Sequence, residues 1–292
     1  MKTGISDSGL NLTHGRFAEL IVPLAPLNEQ LRIVTKIDEL FSELDKGVES
    51  LRTVRDQLQV YRQAVLKHAF EGKLTAGWRD ENKDKLETAD QLLKRIRKER
   101  EIRYKRQLEE WEDALRNWET QGRATNKPAK PQIPPLIARL SHTATADLPT
   151  LPPSWLWLRL EHVSDISGGL TKNQKRNNLP KRMKYLRVAN VYADDVLTDE
   201  VYDIGVTDEE ARKVALEPGD LLIVEGNGSV DQIGRVAMWG GEISDCGHQN
   251  HLIRARLATN SNPRFFLQFM LSPLGRDLIM KEASSTPPER SR

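Results

Sequence analysis

Ten apolar side chains recur in steps of three or four along one stretch: Ile33, Ile37, Leu40, Leu44, Val48, Leu51, Val54, Leu58, Tyr61 and Val65. That spacing is the seam of a coiled coil or of a long packed helix, sustained for about five heptads. Pro23 and Pro26 favour an extended approach, and Asn28 is the expected cap, so the helix is predicted over 28–72. Gly47 is its interior breaker, at a cost of about 1 kcal/mol relative to alanine. Gly72 supplies the stop. Some forty residues at about 1.5 Å each make a rod of roughly 60 Å. No later stretch of comparable length answers the seam. Each of its residues is worth about 1.5–3 kcal/mol when fully buried, so the chain is expected to pair with itself or with another chain.

A second helix is predicted from about Thr88 to Glu119, carrying Leu92, Leu93, Ile96, Leu108, Trp111, Leu115 and Trp118. Its middle, Lys94 to Arg106, holds eight basic residues against two acidic ones. That pattern suits a solvated face with i,i+4 ion pairs, or a face that contacts phosphates or a partner. Residues 120–153 are rich in proline and read as an extended connector. From Trp155 the pattern becomes short β-rich runs: 156–158, 185–191, 221–224, 235–239 and 252–257. Asn262-Pro263 opens a helix through Leu271, and another runs from Pro273 to Lys281. The fold class expected is α+β, with a long coiled-coil-like spacer followed by a mixed α/β domain. The tail 284–292 reads as disordered.

Composition narrows the class further. Hydrophobic residues make up 38% and charged residues 29%, and the mean hydropathy is −0.57. No apolar run approaches a membrane span, and the N-terminus lacks the apolar stretch of a signal peptide. A lone cysteine, Cys246, excludes an internal disulfide framework. These features together point to the cytoplasm. The net charge of +2 hides a segregation. Lys172 to Arg187 holds seven basic residues and no acidic one, while Asp194 to Glu210 holds eight acidic residues and no basic one.

Catalytic signatures are missing. There is no phosphate loop, no strand-borne G-x-G-x-x-G and no N-P-P-[YF] box. Cys246, His248 and His251 could be zinc ligands, but three candidates at tight spacing also describe a buried cysteine beside polar loop histidines. No metal and no catalytic residue is therefore expected. A binding surface remains. Lys172, Asn173, Lys175, Arg176, Asn178, Lys181, Arg182 and Lys184 mix cations with amides; Asn227 and Ser229 sit in a glycine-bearing loop; Gln249, Asn250 and His251 precede a strand. Cations grip phosphates, and amides can pair with base edges. Each loop alone reads as an ordinary polar turn. Together in one domain they favour DNA binding.

The segments Val22-Pro23-Leu24-Ala25-Pro26-Leu27-Asn28-Glu29-Gln30, Lys36-Ile37-Asp38-Glu39-Leu40-Phe41 and Ala69-Phe70-Glu71-Gly72-Lys73-Leu74-Thr75 resemble the conserved helical region of type I restriction–modification specificity (S) subunits. So does Leu92-Leu93-Lys94-Arg95-Ile96-Arg97-Lys98-Glu99-Arg100. Leu151-Pro152-Pro153-Ser154-Trp155, Tyr185-Leu186-Arg187-Val188-Ala189-Asn190-Val191, Leu216-Glu217-Pro218-Gly219-Asp220-Leu221-Leu222, Gly234-Arg235-Val236-Ala237 and His251-Leu252-Ile253-Arg254 resemble a target recognition domain.

The resemblance implies a non-catalytic subunit that reads half of a bipartite site on double-stranded DNA. It implies that the conserved helix docks methyltransferase (M) subunits, which carry S-adenosylmethionine and methylate adenine. Restriction (R) subunits, with ATP and Mg, would complete the complex. It also implies an organisation: 1–27 the remnant of an upstream recognition domain, 28–72 the conserved helix, 73–135 a charged helical excursion and linker, and 136–283 the recognition domain. On that reading the chain is a shortened S subunit. It is expected either to work, alone as a self-dimer or beside another S fragment, or to be an inactive fragment that only assembles through its helices.

Overall fold

A computed structural model describes residues 12–120, 122, 127–134, 136–226, 229, 232–258 and 261–284. The chain divides into two compact units, 1–60 and 61–292. Among the described residues the helices are α1 (His14–Ala18), α2 (Leu27–Phe70), α3 (Ala76–Glu81), α4 (Ala89–Thr120), α5 (His142–Thr145), α6 (Asp208–Val214), α7 (Pro263–Leu271) and α8 (Pro273–Ser284). The strands are β1 (Ser164–Gly168), β2 (Lys181–Leu186), β3 (Val191–Tyr192), β4 (Asp195–Val196), β5 (Tyr202–Val206), β6 (Leu221–Val224), β7 (Val236–Met238), β8 (Cys246–His248) and β9 (Leu252–Leu257). No helix among the described residues is long and apolar enough to cross a membrane.

The first unit holds α1 and most of α2. Asn28 does not cap α2; it lies inside the first turn, because the Pro26 carbonyl already accepts from the Gln30 amide at 3.0 Å. The Gln30 side chain braces the entry from the Ala25 carbonyl at 2.6 Å. Every seam residue from Ile33 to Leu58 is exposed, from Val48 at 40% to Leu51 at 72%.

Within the second unit α2 ends differently. Here Leu66 and Phe70 are buried, while Tyr61 of the seam is exposed and Val65 half-buried. Phe70 meets Phe265 and Phe269 edge to face, with ring centroids 5.3 Å apart in both pairs. Gly72 then turns the chain at φ 74°, its amide bonded to the Ala69 carbonyl at 3.0 Å. A Cβ there would stand 2.4 Å from Pro152 Cγ, so the stop needs glycine for conformation and for space.

The second long helix begins one residue later than its sequence suggests. Thr88 is the cap, its Oγ1 accepting from the Gln91 amide at 3.2 Å while Gln91 Oε1 accepts from the Thr88 amide at 2.8 Å. Leu93 and Ile96 bury against Ile137 and Val163, so α4 shares a core with the proline-rich segment and the domain beyond it. Its basic middle is partly turned inward. Arg97 donates to the Ile137 carbonyl at 2.8 Å, Arg100 donates to the Glu161 carbonyl, and Arg103 pairs with Asp165 at 3.0 Å.

A four-stranded antiparallel sheet runs β1-β9-β6-β7. A three-stranded mixed sheet runs β5-β2-β8, with β2 antiparallel to β5 and parallel to β8, and β3-β4 is a hairpin. The β6 and β9 bounds match the sequence expectation. Residues 156–158 form no strand: Trp157 is anchored by its ring, 6.2 Å from Phe269, in place of a ladder. The run 185–191 is split, because Val188–Asn190 turn as a 3-10 helix between β2 and β3. Leu186, Val191, Leu222, Val224, Trp239, Cys246 and Leu252 close one core between the sheets. Leu221, Val236, Ala255, Leu267 and Met270 close another beneath α7.

Candidate nucleic-acid interface

The three polar loops singled out by sequence leave the domain close together. Leu170 and Gln249 form a parallel bridge. Around it the Leu170 amide donates to the His248 carbonyl at 2.8 Å, and the Asn250 amide donates to the Leu170 carbonyl at 3.0 Å. The loop that starts at Thr171 is thus tied to the one that carries Gln249, Asn250 and His251. The Glu225 amide donates to the His251 carbonyl at 3.0 Å, which brings the third loop alongside. Ser229 is exposed; Asn227 lies outside the described residues.

Charge pairing changes the picture drawn from sequence. Strand β2 runs antiparallel to β5, with Lys184 opposite Asp203, so the basic and acidic runs meet and part of their charge is paired. Lys181 meets Asp208 at 2.7 Å and Lys184 meets Asp203 at 3.4 Å. Arg182 donates to the Asp203 carbonyl at 3.1 Å.

Arg176 is withdrawn from any external surface. It donates to both Glu210 oxygens, at 2.9 and 3.0 Å, to the Thr171 carbonyl at 2.8 Å and to the Gly205 carbonyl at 3.1 Å. Its side chain is 13% exposed. The Arg176 guanidinium holds the Glu210 carboxyl below the usual carboxylate range, as Lys181 does for Asp208. Lys172, Asn173, Lys175 and Asn178 are exposed. They have no side-chain hydrogen bond or ion pair among the described residues, and the open donors of this loop are theirs.

The second loop is half committed. Gln249 Oε1 accepts from the Val188 amide at 3.4 Å, which leaves its NH2 group for another partner. Asn250 and His251 contact each other at 3.4 Å, and His251 stands 3.9 Å from Glu225.

The cysteine–histidine cluster separates. Cys246 and His248 are fully buried while His251 is exposed. Burial pushes the Cys246 thiol up to about 12 and the His248 imidazole down to about 4. Among the described residues no group of three His, Cys, Asp or Glu side chains is placed to hold a metal ion.

One element behind the interface went unread in the sequence. Helix α6 begins at Thr207, whose Oγ1 accepts from the Glu210 amide at 3.2 Å while Glu210 Oε2 accepts from the Thr207 amide at 3.0 Å. The Thr-x-x-Glu spacing was the available signal. Its far end is met by cations and an imidazole: Arg254 donates to the Ala215 carbonyl at 2.8 Å, Arg256 to the same oxygen at 2.8 Å, and His248 Nδ1 lies 3.2 Å from the Val214 carbonyl.

No protein-family profile matches the chain. The type I restriction enzyme EcoKI specificity subunit of Escherichia coli (strain K12) is 23% identical over 282 residues, 94% of this chain and 45% of that protein. This chain is a sequence relative of type I specificity subunits. The StySPI specificity subunit of Salmonella potsdam is 30% identical over 105 residues, 35% of this chain and 22% of that protein. The EcoDI specificity subunit of Escherichia coli is 36% identical over 86 residues, 28% of this chain and 19% of that protein. The chain spans less than half the length of these curated relatives. Among solved structures it is similar to the HsdS subunit from Thermoanaerobacter tengcongensis, at 17% identity and a TM-score of 0.33, over 69% of this chain and 41% of that one.

Proposed function

We propose that this chain is a DNA-reading, non-catalytic subunit of a type I restriction–modification complex. The sheet-bearing unit grips one half of a split DNA site through its converging loops, with residues 136–283 as the target recognition domain. Methylation and cleavage belong to M and R subunits, which bring S-adenosylmethionine, ATP and Mg. The observation that carries the reading is the similarity to a specificity subunit across 94% of the chain. The convergence of the Thr171, Glu225 and Gln249 loops supports it, since residues far apart in sequence supply one polar surface. The test is co-expression with the cognate M subunit and mapping of N6-methyladenine in host DNA. A recurrent methylated motif supports DNA reading.

A second reading has its own observation. The seam of α2 from Ile33 to Leu58 is exposed, while three of the seven cations of the basic run are paired with carboxylates. On that reading the chain is an assembly fragment. M-subunit binding without any methylated motif favours it. In either reading the seam Ile33 to Val65 docks M subunits, another S fragment or a second copy of this chain. Light scattering coupled to size exclusion checks self-pairing: a dimer or larger is expected, and a clean monomer at high concentration excludes it.

A further inference from the structure

We propose that two tyrosine-backed arginines, Arg187 and Arg235, form a phosphate clamp for the backbone of duplex DNA beside the converging loops. The proposal rests on the DNA-reading function above and names the groups that would supply its sequence-independent grip. Arg187 stacks on Tyr202 with its guanidinium carbon 3.8 Å from the ring centroid, and Arg235 stacks on Tyr192 at 5.0 Å. Both rings are about half exposed, at 52% and 45%. The two stacks meet at one residue, Val188. Arg187 immediately precedes Val188, whose carbonyl accepts from Arg235 at 3.3 Å and whose amide donates to Gln249 at 3.4 Å. The clamp is therefore contiguous with the loop carrying Asn250 and His251.

Charge accounting leaves Arg187 open, as it does Lys172 and Lys175, and the tyrosine ring beneath it sets it apart. Four of the seven cations in the basic run already have partners, but the Arg187 guanidinium makes no hydrogen bond or ion pair to a described residue. The Nε atoms of Arg187 and Arg235 are covered and have no acceptor. Neighbouring carboxylates are engaged elsewhere, Asp203 with Lys184 and Asp194 with Arg62 of α2; Asp195, opposite Tyr192 in the hairpin, is exposed. A guanidinium seated over a ring has lost part of its rotamer freedom before any ligand arrives, so binding costs it less entropy. The covered Nε atoms cannot serve an outside ligand, so the grip would come from the terminal NH2 groups, whose geometry suits the several acceptor oxygens of a phosphodiester.

The experiment titrates the full chain with a 30-base-pair duplex of mixed sequence across a range of salt concentrations. Arg187→Ala with Arg235→Ala should lower the slope of log affinity against log salt by about 2, with affinity at 0.1 M salt falling about eightfold for each guanidinium lost. Arg187→Lys with Arg235→Lys keeps the charge and loses the stack. It should retain most of the slope yet bind more weakly than wild type. Thermal unfolding of each variant separates loss of grip from loss of fold. A wild-type chain that binds duplex, with a folded double-alanine variant of unchanged slope, overturns the clamp alone. A wild-type chain that binds no duplex removes the DNA reading and the clamp with it.

Discussion

The two units treat their apolar residues in opposite ways. Along residues 27–60 the seam stands in solvent, and Leu27, Leu31, Val34 and Phe41 widen the bare stripe near the start of α2. In residues 61–292, Leu186, Leu221, Leu222 and Leu252 are completely buried. Helical periodicity is a local property and forms its stripe whether or not anything covers it. The sheet core is different, because Leu222 closes only when β6 has found β7 and β9, which lie away from it in sequence. One unit completes its burial from within, while the seam residues of the other from Ile33 to Leu58 are exposed.

The sharpest way to break this comparison is one substitution type in both places. Leu222→Ala should cost about 2–5 kcal/mol in urea unfolding, the range for a leucine deleted from a closed core. Leu51→Ala should stay within about 0.5 kcal/mol in dilute protein and cost more only as concentration rises. All six tryptophans lie beyond residue 60, so their fluorescence follows the second unit while far-UV ellipticity also counts α2. A concentration-independent loss of several kcal/mol for Leu51→Ala would mean that the seam is covered within the chain.

What was legible in the sequence tracks how local each feature is. The bounds of α7 followed from Asn262-Pro263, which caps and opens the helix as written, with the Asn262 side chain accepting from the Arg264 amide at 3.0 Å. Helix α2 and the β6 and β9 runs followed from periodicity and apolar density. Strand β8 did not: Cys246-Gly247-His248 has no strand signature, and pairing with β2 imposes the conformation. Strand β5 was hidden because Tyr202–Val206 lies inside the acidic run. Within the candidate interface, residue types were legible and their commitments were not. Arg176 and Lys175 are neighbours of equal formal charge, yet only the fold tells that one clamps Glu210. Ile137 was read as part of an extended linker, and it is a core residue only because α4 supplies the surface that covers it.

Acid should attack the second unit before the first. His248 is fully buried, with Nδ1 against the Val214 carbonyl and Nε2 without a partner, and burial lowers its pKa to about 4. Above about 6.5 the imidazole is neutral in both states and its contribution is fully present. As pH falls, the unfolded chain gains the proton first, so stability is lost progressively from about 6.5 toward 4. The full loss is on the order of 3 kcal/mol, and about 2 kcal/mol of it should be seen by pH 5. His248→Asn should flatten that window when urea midpoints from tryptophan fluorescence are compared at pH 7.5 and pH 5. His162, whose burial also lowers its pKa, leaves a smaller residual slope. The depressed carboxylates Glu210 and Asp208 act in a lower window, where their own ionised forms are lost. An unchanged slope in the His248 variant would place the acid sensitivity outside the sheet core.

The smallest expected effects separate two adjacent cations. Arg176→Ala removes the guanidinium that joins Glu210, the Thr171 carbonyl and the Gly205 carbonyl. It should lower stability by about 1–2 kcal/mol, since Glu210 keeps its bond to the Thr207 amide and faces solvent in part. Lys175→Ala should leave stability within about 0.5 kcal/mol. It should also reduce the salt slope of duplex binding by about 1, because an exposed cation without a protein partner is free to replace a counterion. Urea unfolding and duplex titration on the same two proteins read both quantities. If Lys175→Ala unfolds the protein and Arg176→Ala alters only binding, burial and pairing have been assigned to the wrong side chains. If Lys175→Ala leaves duplex binding unchanged, Lys175 does not touch DNA, and the share of the grip assigned to it passes to other groups such as Lys172 or the arginine–tyrosine stacks beside Val188.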